Sequence, residues 1–483
     1  MYLGIDIGTS AVKVLVLGEA GEPLDTESVA LDVSRPRPLW SEQDPDDWWR
    51  ATDAAVRSLA ERGSTQGVRA IGLSGQMHGA TVLGDDDAPL RPAILWNDGR
   101  SGEACRTLEA AEPASRQITG NLAMPGFTAP KLVWLREHEP EVFRKVRRVL
   151  LPKDYVRLRM TGEAISDCSD AAGTLWLDVG ARRWSKAMLD ACDLPLEAMP
   201  ALVEGPEEAG RLRGEVAAAW KMDAVPVAGG AGDQAAGAVG AGVIRSGAAS
   251  LALGTSGVLF AADERFRPNP ERAMHAFCHS LPDTWHQMSV ILSAASCLSW
   301  IAAATGAANE AALVAEIEAA DRLDSKLLFL PYLSGERTPH NDPEATGVFV
   351  GLSHESDRAA LGRAVLEGVA FAFADAQQVL LEAGAELDSV SVIGGGARSA
   401  LWGRILASAL DRPLVYREAA EVGPALGAAR LARLCVSGET ADDVCTPPPI
   451  DFVAEPDAGL VEHYAPMLAE YRELYARLHR SPS

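Results

Sequence analysis

The pattern strand, Gly-Thr-Ser turn, strand occurs at two places in this chain, about half a chain apart. Residues 2–17 read YLGIDI-GTS-A-VKVLVL, and residues 249–261 read ASLAL-GTSG-VLFA. Apolar residues that alternate on both sides of a short turn predict a β-hairpin. Because a single core does not usually contain two copies of one unit, the repeat indicates two domains with a common ancestor.

The length and the order of the remaining patterns agree with two α/β domains. With 483 residues the chain is too long for one hydrophobic core of ordinary size. Residues 68–73, 225–228 and 389–393 read as strands, and residues 359–383 read as a helix. Strand and helix patterns that alternate along the chain are typical of α/β domains.

Runs of glycine and proline predict where the domains end. Glycines at 242–247 mark the first boundary, and three prolines at 447–449 precede a last helix. We therefore expect an N-terminal domain over residues 1–244, a C-terminal domain over residues 245–436 and a helical extension over residues 437–483.

The charge balance limits the partners of the chain. It has 44 basic and 67 acidic residues, for a net charge of −23. A surface this acidic argues against nucleic acid and anionic membranes as partners. A phosphate ligand is still compatible with it, because backbone amides and a metal ion outweigh the global charge locally.

The cysteines and the N-terminus predict a cytoplasmic protein. The seven cysteines form no C-x-x-C pair, and their number is odd. A disulfide framework or a zinc site is therefore not expected, and a reducing compartment fits. The first residues carry no basic segment before the apolar run, which argues against a signal peptide.

Residues 287–309 carry no formal charge and are long enough to span a bilayer. Alanine, serine, threonine and glycine make up most of this stretch, and the larger apolar residues are few. We interpret it as a helix buried in the protein interior rather than as a membrane span.

Three glycine-rich turns follow predicted strands, at residues 8–10, 254–257 and 394–397. Such turns let backbone N–H groups approach a phosphate closely. One such turn is more simply explained as a tight connection, but three of them, two being near-copies, favour a phosphate site. The chain contains no Walker A sequence (GxxxxGK[ST]) that would explain phosphate binding differently.

Asp6 lies on a strand that is otherwise apolar, and Ala252 takes its place in the second copy. A buried carboxylate needs a partner, which could be the Mg²⁺ carried by ATP or the amides of the adjacent turn. Lys13, on the second strand of the hairpin, either reaches a phosphate or belongs to a solvated strand face.

Asp233 follows a predicted strand and a glycine run, and it precedes a predicted helix. It is either an ordinary helix N-cap or a general base at the end of a strand, where α/β active sites gather. His78, in the sequence QMHG, is either a loop residue or a ligand contact. Four early tryptophans belong either to the core or to the rim of a pocket: Trp40, Trp48, Trp49 and Trp96.

At this point several motifs resemble those of a known family, the FGGY carbohydrate kinases, along essentially the whole chain. The motif QMHG at residues 76–79 is similar to that of one branch, the bacterial xylulokinases, and differs from that of glycerol kinases. The other matching motifs are YLGIDIGTS at 2–10, LWSEQDP at 39–45, AILWNDGR at 93–100, GFTAPKLVW at 126–134, GVFVGL at 347–352 and RAVLEG at 363–368.

The resemblance implies two actin/hexokinase-like (ribonuclease H-like) domains that face each other across a cleft. The first would bind a sugar, and ATP would lie mainly against the second. The implied reaction transfers the γ-phosphate of ATP to the 5-hydroxyl group of D-xylulose, giving D-xylulose 5-phosphate and ADP. The alternatives are a kinase for ribulose or glycerol, an actin-like or chaperone-like ATPase, and a non-catalytic sugar sensor.

The resemblance also implies roles for individual residues. Asp233 would be the catalytic base, and Asp6 would lie near Mg²⁺ and the phosphates. The residues implied to contact the sugar are Met77, His78, Asp233 and Gln234. The residues implied or predicted to contact the nucleotide and its phosphates are Gly8, Thr9, Ser10, Lys13, Gly254, Thr255, Gly395, Gly396 and Ala397. Many xylulokinases have asparagine where this chain has Gln234. A homodimer is compatible with the resemblance.

Overall fold

The structure is a computed structural model, and it describes residues 1–320, 326–394, 399–418 and 423–478. The strands are β1 (Tyr2–Ile7), β2 (Ala11–Leu17), β3 (Pro23–Ala30), β4 (Glu42–Gln43), β5 (Ile71–Gly75), β6 (Thr81–Leu83), β7 (Ala93–Ile94), β8 (Arg148–Leu150), β9 (Ile165–Asp167), β10 (Leu177–Asp178), β11 (Arg183–Trp184), β12 (Ala201–Val203), β13 (Glu208–Arg211), β14 (Pro226–Ala228), β15 (Ala231–Gly232), β16 (Gly247–Leu253), β17 (Gly257–Asp263), β18 (His275–Cys278), β19 (Trp285–Ile291), β20 (Leu328–Leu330), β21 (Val348–Val350), β22 (Leu387–Ile393), β23 (Leu414–Arg417) and β24 (Ile450–Ala454). The helices are α1 (Pro45–Glu61), α2 (Gly102–Ala111), α3 (Ser115–Thr119), α4 (Thr128–His138), α5 (Pro140–Phe143), α6 (Pro152–Thr161), α7 (Cys168–Ala172), α8 (Lys186–Ala191), α9 (Gly214–Ala219), α10 (Asp233–Ala241), α11 (Ala295–Ala304), α12 (Glu310–Ala320), α13 (Arg358–Glu382), α14 (Ala400–Leu410), α15 (Gly423–Ser437), α16 (Ala441–Val444) and α17 (Ala458–Leu478).

The first hairpin lies in the middle of the first large sheet, whose strand order is β13-β14-β5-β1-β2-β3. β1 pairs antiparallel with β2 and parallel with β5, as expected where a hairpin is followed by a crossover. Both faces of β1 are covered, one by α1 and the other by α15. At Gly4 a Cβ atom would lie 2.0 Å from the carbonyl oxygen of Ala425, so only glycine allows α15 to pack this closely.

The second hairpin has the equivalent place in the second large sheet, with strand order β18-β19-β17-β16-β22-β23-β24. β16 pairs antiparallel with β17 and parallel with β22, as β1 does with β2 and β5. The prediction of two similar α/β units is therefore confirmed. Among the described residues α13 is the one helix that is long and apolar enough to cross a membrane, and 89% of its most apolar window is buried inside the fold.

The prediction for residues 287–309 is wrong over its first part. The segment begins within β19, which pairs with β17 and β18, and only its middle forms a helix, α11. The absence of charge indicates burial over the strand, where Gln287 and Ser289 are buried, but α11 is only partly buried, and Trp300 on it is 40% exposed. Composition alone does not separate a buried strand from a buried helix.

The predicted domain boundaries stay a prediction, and two elements near the C-terminus bear on them. α15, from the predicted C-terminal domain, packs on β1, β5 and α10 of the first half. β24, from the predicted extension, pairs with β23 in the second sheet. Segments of sequence therefore cross between the two halves, and the two helices α10 and α15 pack against each other beside the cleft.

Candidate active site

Met77, His78, Asp233 and Gln234 line one cavity of about 180 Å³ in the cleft. The first two follow β5, and the other two begin α10, so the first sheet brings them together at the ends of neighbouring strands. The second half of the chain closes the cavity from the opposite side. The other lining residues are Trp96, Met124, Gly126, Phe127, Ser256, Val258, His275, Phe277, Met288, Val290 and Arg337.

Asp233 is the first residue of α10, and Gly232 occupies the N-cap position. The interpretation of Asp233 as an ordinary N-cap is therefore wrong. Its carboxylate accepts a hydrogen bond of 2.8 Å from the backbone N–H of Gln234. Burial, and next the negative charge of Asp6, raise the pKa of Asp233 to about 7. The side chain can consequently accept a proton near neutral pH.

Asp6 lies on β1, opposite Lys13 in the hairpin and beside Ser74 of β5. Its Oδ1 atom is buried, and no hydrogen-bond partner for it exists in the part of the chain that the structure describes. Burial raises the pKa of Asp6 to about 6, while Ser74 and Lys13 act in the opposite direction. The negative charge of Asp6 also acts on Asp233. A buried carboxylate oxygen without a hydrogen-bond partner is a suitable ligand for a divalent cation.

The side chain of His78 is neutral and held in one orientation. Its Nδ1 atom lies 2.6 Å from the carbonyl oxygen of Gly173, so Nδ1 carries the hydrogen and Nε2 is an acceptor. Burial lowers the pKa of His78 to about 3, and the ring packs edge-on against Phe127 at 4.9 Å between centroids. The histidine therefore offers an acceptor, and not a charge, to a molecule in the cavity.

The motif at residues 126–134 holds the backbone of His78 in place. The ammonium group of Lys131 donates hydrogen bonds to the carbonyl oxygens of His78 (2.8 Å) and Gly126 (2.7 Å). The hydroxyl group of Thr128 donates to the same oxygen of His78 at 3.2 Å. Lys131 is fully buried, and burial lowers its pKa well below the ordinary value. The motif thus supports the cavity from behind rather than lining it with charge.

A buried group of charges lies behind the same cavity. The carboxylates of Asp154, Asp167 and Asp170 are close enough together to hold a metal ion, but the ammonium group of Lys153 lies among them. Its Nζ atom is 2.7 Å from Asp167 and 3.2 Å from Asp170. All four side chains are fully buried. Lys153 and the guanidinium group of Arg157, which lies 3.8 Å from Asp154, supply two positive charges to the three acids, and burial raises the pKa of Asp170 well above its ordinary value.

This charged group is connected to the segment that leads into α10. The guanidinium group of Arg157 donates hydrogen bonds to the carbonyl oxygens of Ala228 and Gly229. The hydroxyl oxygen of Ser169 accepts a hydrogen bond of 3.2 Å from the N–H of Gly232. The position of the candidate base is therefore set by buried polar contacts on both sides of the glycine run.

The first Gly-Thr-Ser turn is hydrogen-bonded to residues beside the small cavity. The hydroxyl group of Thr9 donates to the Oε1 atom of Gln76 at 3.0 Å, and it accepts from the indole N–H of Trp96 at 2.9 Å. The N–H of Gly8 closes the turn on the carbonyl oxygen of Ala11. Ser10 at the end of the turn is exposed.

The four early tryptophans divide between the two interpretations. Trp48 is fully buried and belongs to the core of the first half, whereas Trp96 is 47% exposed and lines the cavity. Trp40 and Trp49 are half-buried and pack on other tryptophans. Trp96 is thus the one of the four that lies at the rim.

A second cavity of about 840 Å³ begins at the second Gly-Thr-Ser turn. Gly254 and Thr255 line it, together with residues of α11, α12 and the start of α14. Ser296 donates a hydrogen bond of 2.8 Å to the carbonyl oxygen of Thr255, which fixes the turn against α11. Its size suits a nucleoside. The predicted residues Gly395, Gly396 and Ala397 lie outside the described residues.

Several lining residues were not predicted from the sequence. His275, Phe277 and Met288 come from β18 and β19, and Arg337 comes from the loop before β21. The charged pair Glu336-Arg337, in a segment rich in turn-forming residues, was a usable signal in the sequence. Nothing in the local sequence distinguishes the side chains of β18 and β19 from ordinary core residues.

Family comparison agrees with this two-sided cleft. The N-terminal domain of the FGGY family of carbohydrate kinases matches residues 1–240, and its C-terminal domain matches residues 249–434. The chain belongs to the FGGY family of carbohydrate kinases. As a member it is a phosphotransferase that uses ATP as a substrate, typically with a divalent metal ion.

Relatives of this FGGY kinase match it over its full length. The xylulose kinase of Escherichia coli (strain K12) is 55% identical over 479 residues, 99% of each chain. The solved structure of a xyloylose kinase from Brucella ovis is 51% identical with a TM-score of 0.96, and it covers 99% of each chain. The xylulose kinase of Rhodospirillum rubrum is 30% identical with a TM-score of 0.92, again over 99% of each chain. These matches confirm the actin/hexokinase-like fold of two α/β domains.

Proposed function

We propose that this FGGY kinase transfers the γ-phosphate of ATP to the 5-hydroxyl group of D-xylulose, giving D-xylulose 5-phosphate and ADP. The observation that carries the proposal is the meeting of Met77, His78, Asp233 and Gln234 in one small cavity. The relatives named xylulose kinase, at 55% and 54% identity over 99% of this chain, support the choice of sugar.

In this proposal Asp233 is the general base. The sugar hydroxyl gives its proton to the carboxylate of Asp233 as the hydroxyl oxygen attacks the γ-phosphorus atom. A pKa raised to about 7 supports this role, because a base with a pKa near the working pH is ionised yet still basic enough to take the proton. The hydrogen bond from Gln234 N–H keeps the carboxylate oriented towards the cavity.

The walls of the cavity would orient the sugar. The Nε2 atom of the neutral His78 accepts a hydrogen bond from a sugar hydroxyl, while Gly173 holds the opposite ring nitrogen. Phe127 and Phe277 offer apolar faces to the C–H groups of the sugar. Met77 lies against the same side, and it is almost fully buried. Fixed donors and acceptors of this kind lower the entropy cost of positioning the reacting hydroxyl.

The nucleotide would lie in the cavity that begins at Gly254 and Thr255, with Gly395, Gly396 and Ala397 as further proposed contacts. Gly8, Thr9, Ser10 and Lys13 are proposed to face its phosphates from the first half. Asp6 would hold the magnesium ion that ATP carries, since its buried Oδ1 atom has no partner among the described residues. Bound Mg²⁺ supplies positive charge that neutralises the phosphate oxygens during transfer.

The other properties of the chain support small-molecule chemistry. The net charge of −23 disfavours nucleic acid and anionic membranes. All seven cysteines are free, which supports a reducing compartment such as the cytoplasm. The homodimer stays a prediction, and light scattering coupled to size-exclusion chromatography tests it.

A coupled assay of ADP release over xylulose, ribulose, glycerol and gluconate tests the proposed function. We expect the highest kcat/KM with D-xylulose, and identification of the 5-phosphate by NMR would support transfer to the terminal hydroxyl. A higher kcat/KM with another sugar would reassign the substrate. ATP hydrolysis that responds to polypeptide and ignores every sugar would contradict the proposal as a whole.

A further inference from the structure

A guanidinium group without a carboxylate partner lines the sugar cavity. Arg337 faces the same space as His78 and Asp233, and it comes from the opposite half of the chain. Its Nη1 atom forms one long hydrogen bond, 3.5 Å, to the Nε2 atom of His275. Within residues 1–320, 326–394, 399–418 and 423–478 no carboxylate forms an ion pair with this guanidinium. Most of its donors are therefore available to a ligand.

The partner of Arg337 does not neutralise its charge. The amide nitrogen of Asn121 donates to the carbonyl oxygens of Thr119 and Ala276, which leaves its oxygen as the acceptor for Nδ1–H of His275 at 3.0 Å. Nε2 of His275 consequently carries no hydrogen and accepts from Arg337. Burial lowers the pKa of His275 well below its ordinary value, so the ring is neutral.

The residues on both sides of Arg337 are hydrogen-bonded to β19 and to Leu292, the residue that follows it. The Oε1 atom of Glu336 accepts hydrogen bonds from the N–H groups of Leu292 (3.0 Å) and of Arg337 itself (2.7 Å). The hydroxyl oxygen of Thr338 accepts from the N–H of Val290 at 3.1 Å. Glu336 thus uses this oxygen for backbone groups, and it acts on the guanidinium only through its charge, which opposes the larger effect of burial on the pKa of Arg337. The arginine is held in a fixed place before any ligand enters.

The two sides of the cavity offer opposite hydrogen-bonding groups. A guanidinium group only donates, whereas the Nε2 atom of the neutral His78 only accepts. A ketone oxygen only accepts, so a donor-only group satisfies it completely. A hydroxyl group at the same place also accepts, but its own hydrogen then needs an acceptor, which the guanidinium does not supply. We propose that Arg337 donates hydrogen bonds to the carbonyl oxygen of the open-chain ketose and so makes the site select ketoses over the corresponding polyols. This inference rests on the proposed function. It implies that the bound sugar contacts both halves of the chain, His78 in the first and Arg337 in the second.

The test compares Arg337→Gln with the wild type by the KM for D-xylulose and the inhibition constant of xylitol, in which a hydroxyl replaces the carbonyl group. A hydrogen bond from a charged donor contributes enough that we expect kcat/KM for D-xylulose to fall by about 10- to 100-fold, mostly through KM. The inhibition constant of xylitol should change far less. Arg337→Lys keeps the charge and should recover part of the discrimination.

The outcomes separate this inference from the proposed function. If the wild type phosphorylates D-xylulose and both variants keep the wild-type ratio of the xylulose KM to the xylitol inhibition constant, the inference is overturned and the proposed function stands. If the wild type phosphorylates no ketose, both are overturned. Thermal unfolding and calorimetric binding of ADP serve as controls, because a merely structural loss would weaken xylulose and xylitol equally. Should Arg337→Gln not fold, the ratio for Arg337→Lys decides.

Discussion

Replacement of Asp233 by asparagine removes a carboxyl group whose ionisation destabilises the folded protein. Burial and the charge of Asp6 raise the pKa of Asp233 from 3.8 to about 7 in the folded protein. Between about pH 4 and pH 7 the folded protein therefore keeps a proton that the unfolded chain has released. Because the folded-state pKa is the higher one, the free energy of unfolding falls as the pH rises through this window.

The size of the effect follows from the difference in pKa. Each pH unit of difference corresponds to about 1.4 kcal/mol, so the ionised Asp233 costs at most about 4 kcal/mol at pH 8. Solvent in the cleft screens this partly exposed group, and we expect roughly half of that limit. Asparagine has almost the same shape, and its oxygen keeps the 2.8 Å hydrogen bond from Gln234 N–H. Asp233→Asn should therefore be about 2 kcal/mol more stable than the wild type at pH 8, with a smaller advantage at pH 5.

Urea unfolding followed by tryptophan fluorescence at both pH values measures this difference. The same variant should lose about 10²- to 10⁴-fold in kcat, because it has no base, while calorimetry should find nucleotide binding largely intact. The alanine variant at this position should likewise lose phosphorylation and keep the nucleotide. An identical pH dependence of unfolding in wild type and variant would refute the raised pKa. Near-normal turnover would refute the assignment of the base.

Three further variants test the surrounding structure. Asp6→Asn should weaken magnesium-dependent turnover and move the acid limb of kcat/KM to lower pH, because the Asp6 charge raises the pKa of Asp233; a pH profile with an unmoved midpoint contradicts this. Lys131→Met removes the side-chain donor from the carbonyl oxygen of Gly126 and leaves that of His78 with only the Thr128 hydroxyl group, so thermal unfolding should report a loss of about 2 kcal/mol and kinetics a higher sugar KM; unchanged values of both would exclude the supporting role. Gly427→Ala places a Cβ atom 1.8 Å from the carbonyl oxygen of a residue on α10, and it should lower the free energy of unfolding by at least about 2 kcal/mol. Gly237→Ala, with open space around its Cβ atom, is the matched control. Equal melting temperatures for the two variants would argue against the tight packing of α10 on α15.

Local sequence patterns predicted the elements that local physics decides. The two hairpins, the helix α13 and the strand β22 lie within a few residues of their predicted bounds, because alternation and helical periodicity report directly which face is buried. The stretch at 287–309 was assigned the wrong type of element in its first part. Its first residues are uncharged because they are buried, and both a buried strand and a buried helix satisfy that condition, whereas the later helix α11 is partly exposed.

The candidate site likewise contains residues that the sequence predicted and residues that it did not. Asp6 and Asp233 stood out because an acidic residue next to an apolar strand must find a partner, and Met77 and His78 followed from the family motif. His275 and Arg337 remained unnoticed, since they lie about 200 to 260 residues from the motif that they face. No local rule connects positions that far apart.

The sequence by itself determined the two hairpins with their Gly-Thr-Ser turns, the family, and the acids that the cleft had to contain. Only the tertiary structure decided that α15 returns to the first sheet, that the charge of Asp6 raises the pKa of Asp233, and that Arg337 enters the cavity with no ion pair to a described carboxylate. The physical reason is the separation along the chain of the residues that interact. Hydrogen bonding and periodicity within an element are local, whereas the pKa of a buried acid, the wall of a cavity and the partners of an arginine depend on which distant segments the packing brings together.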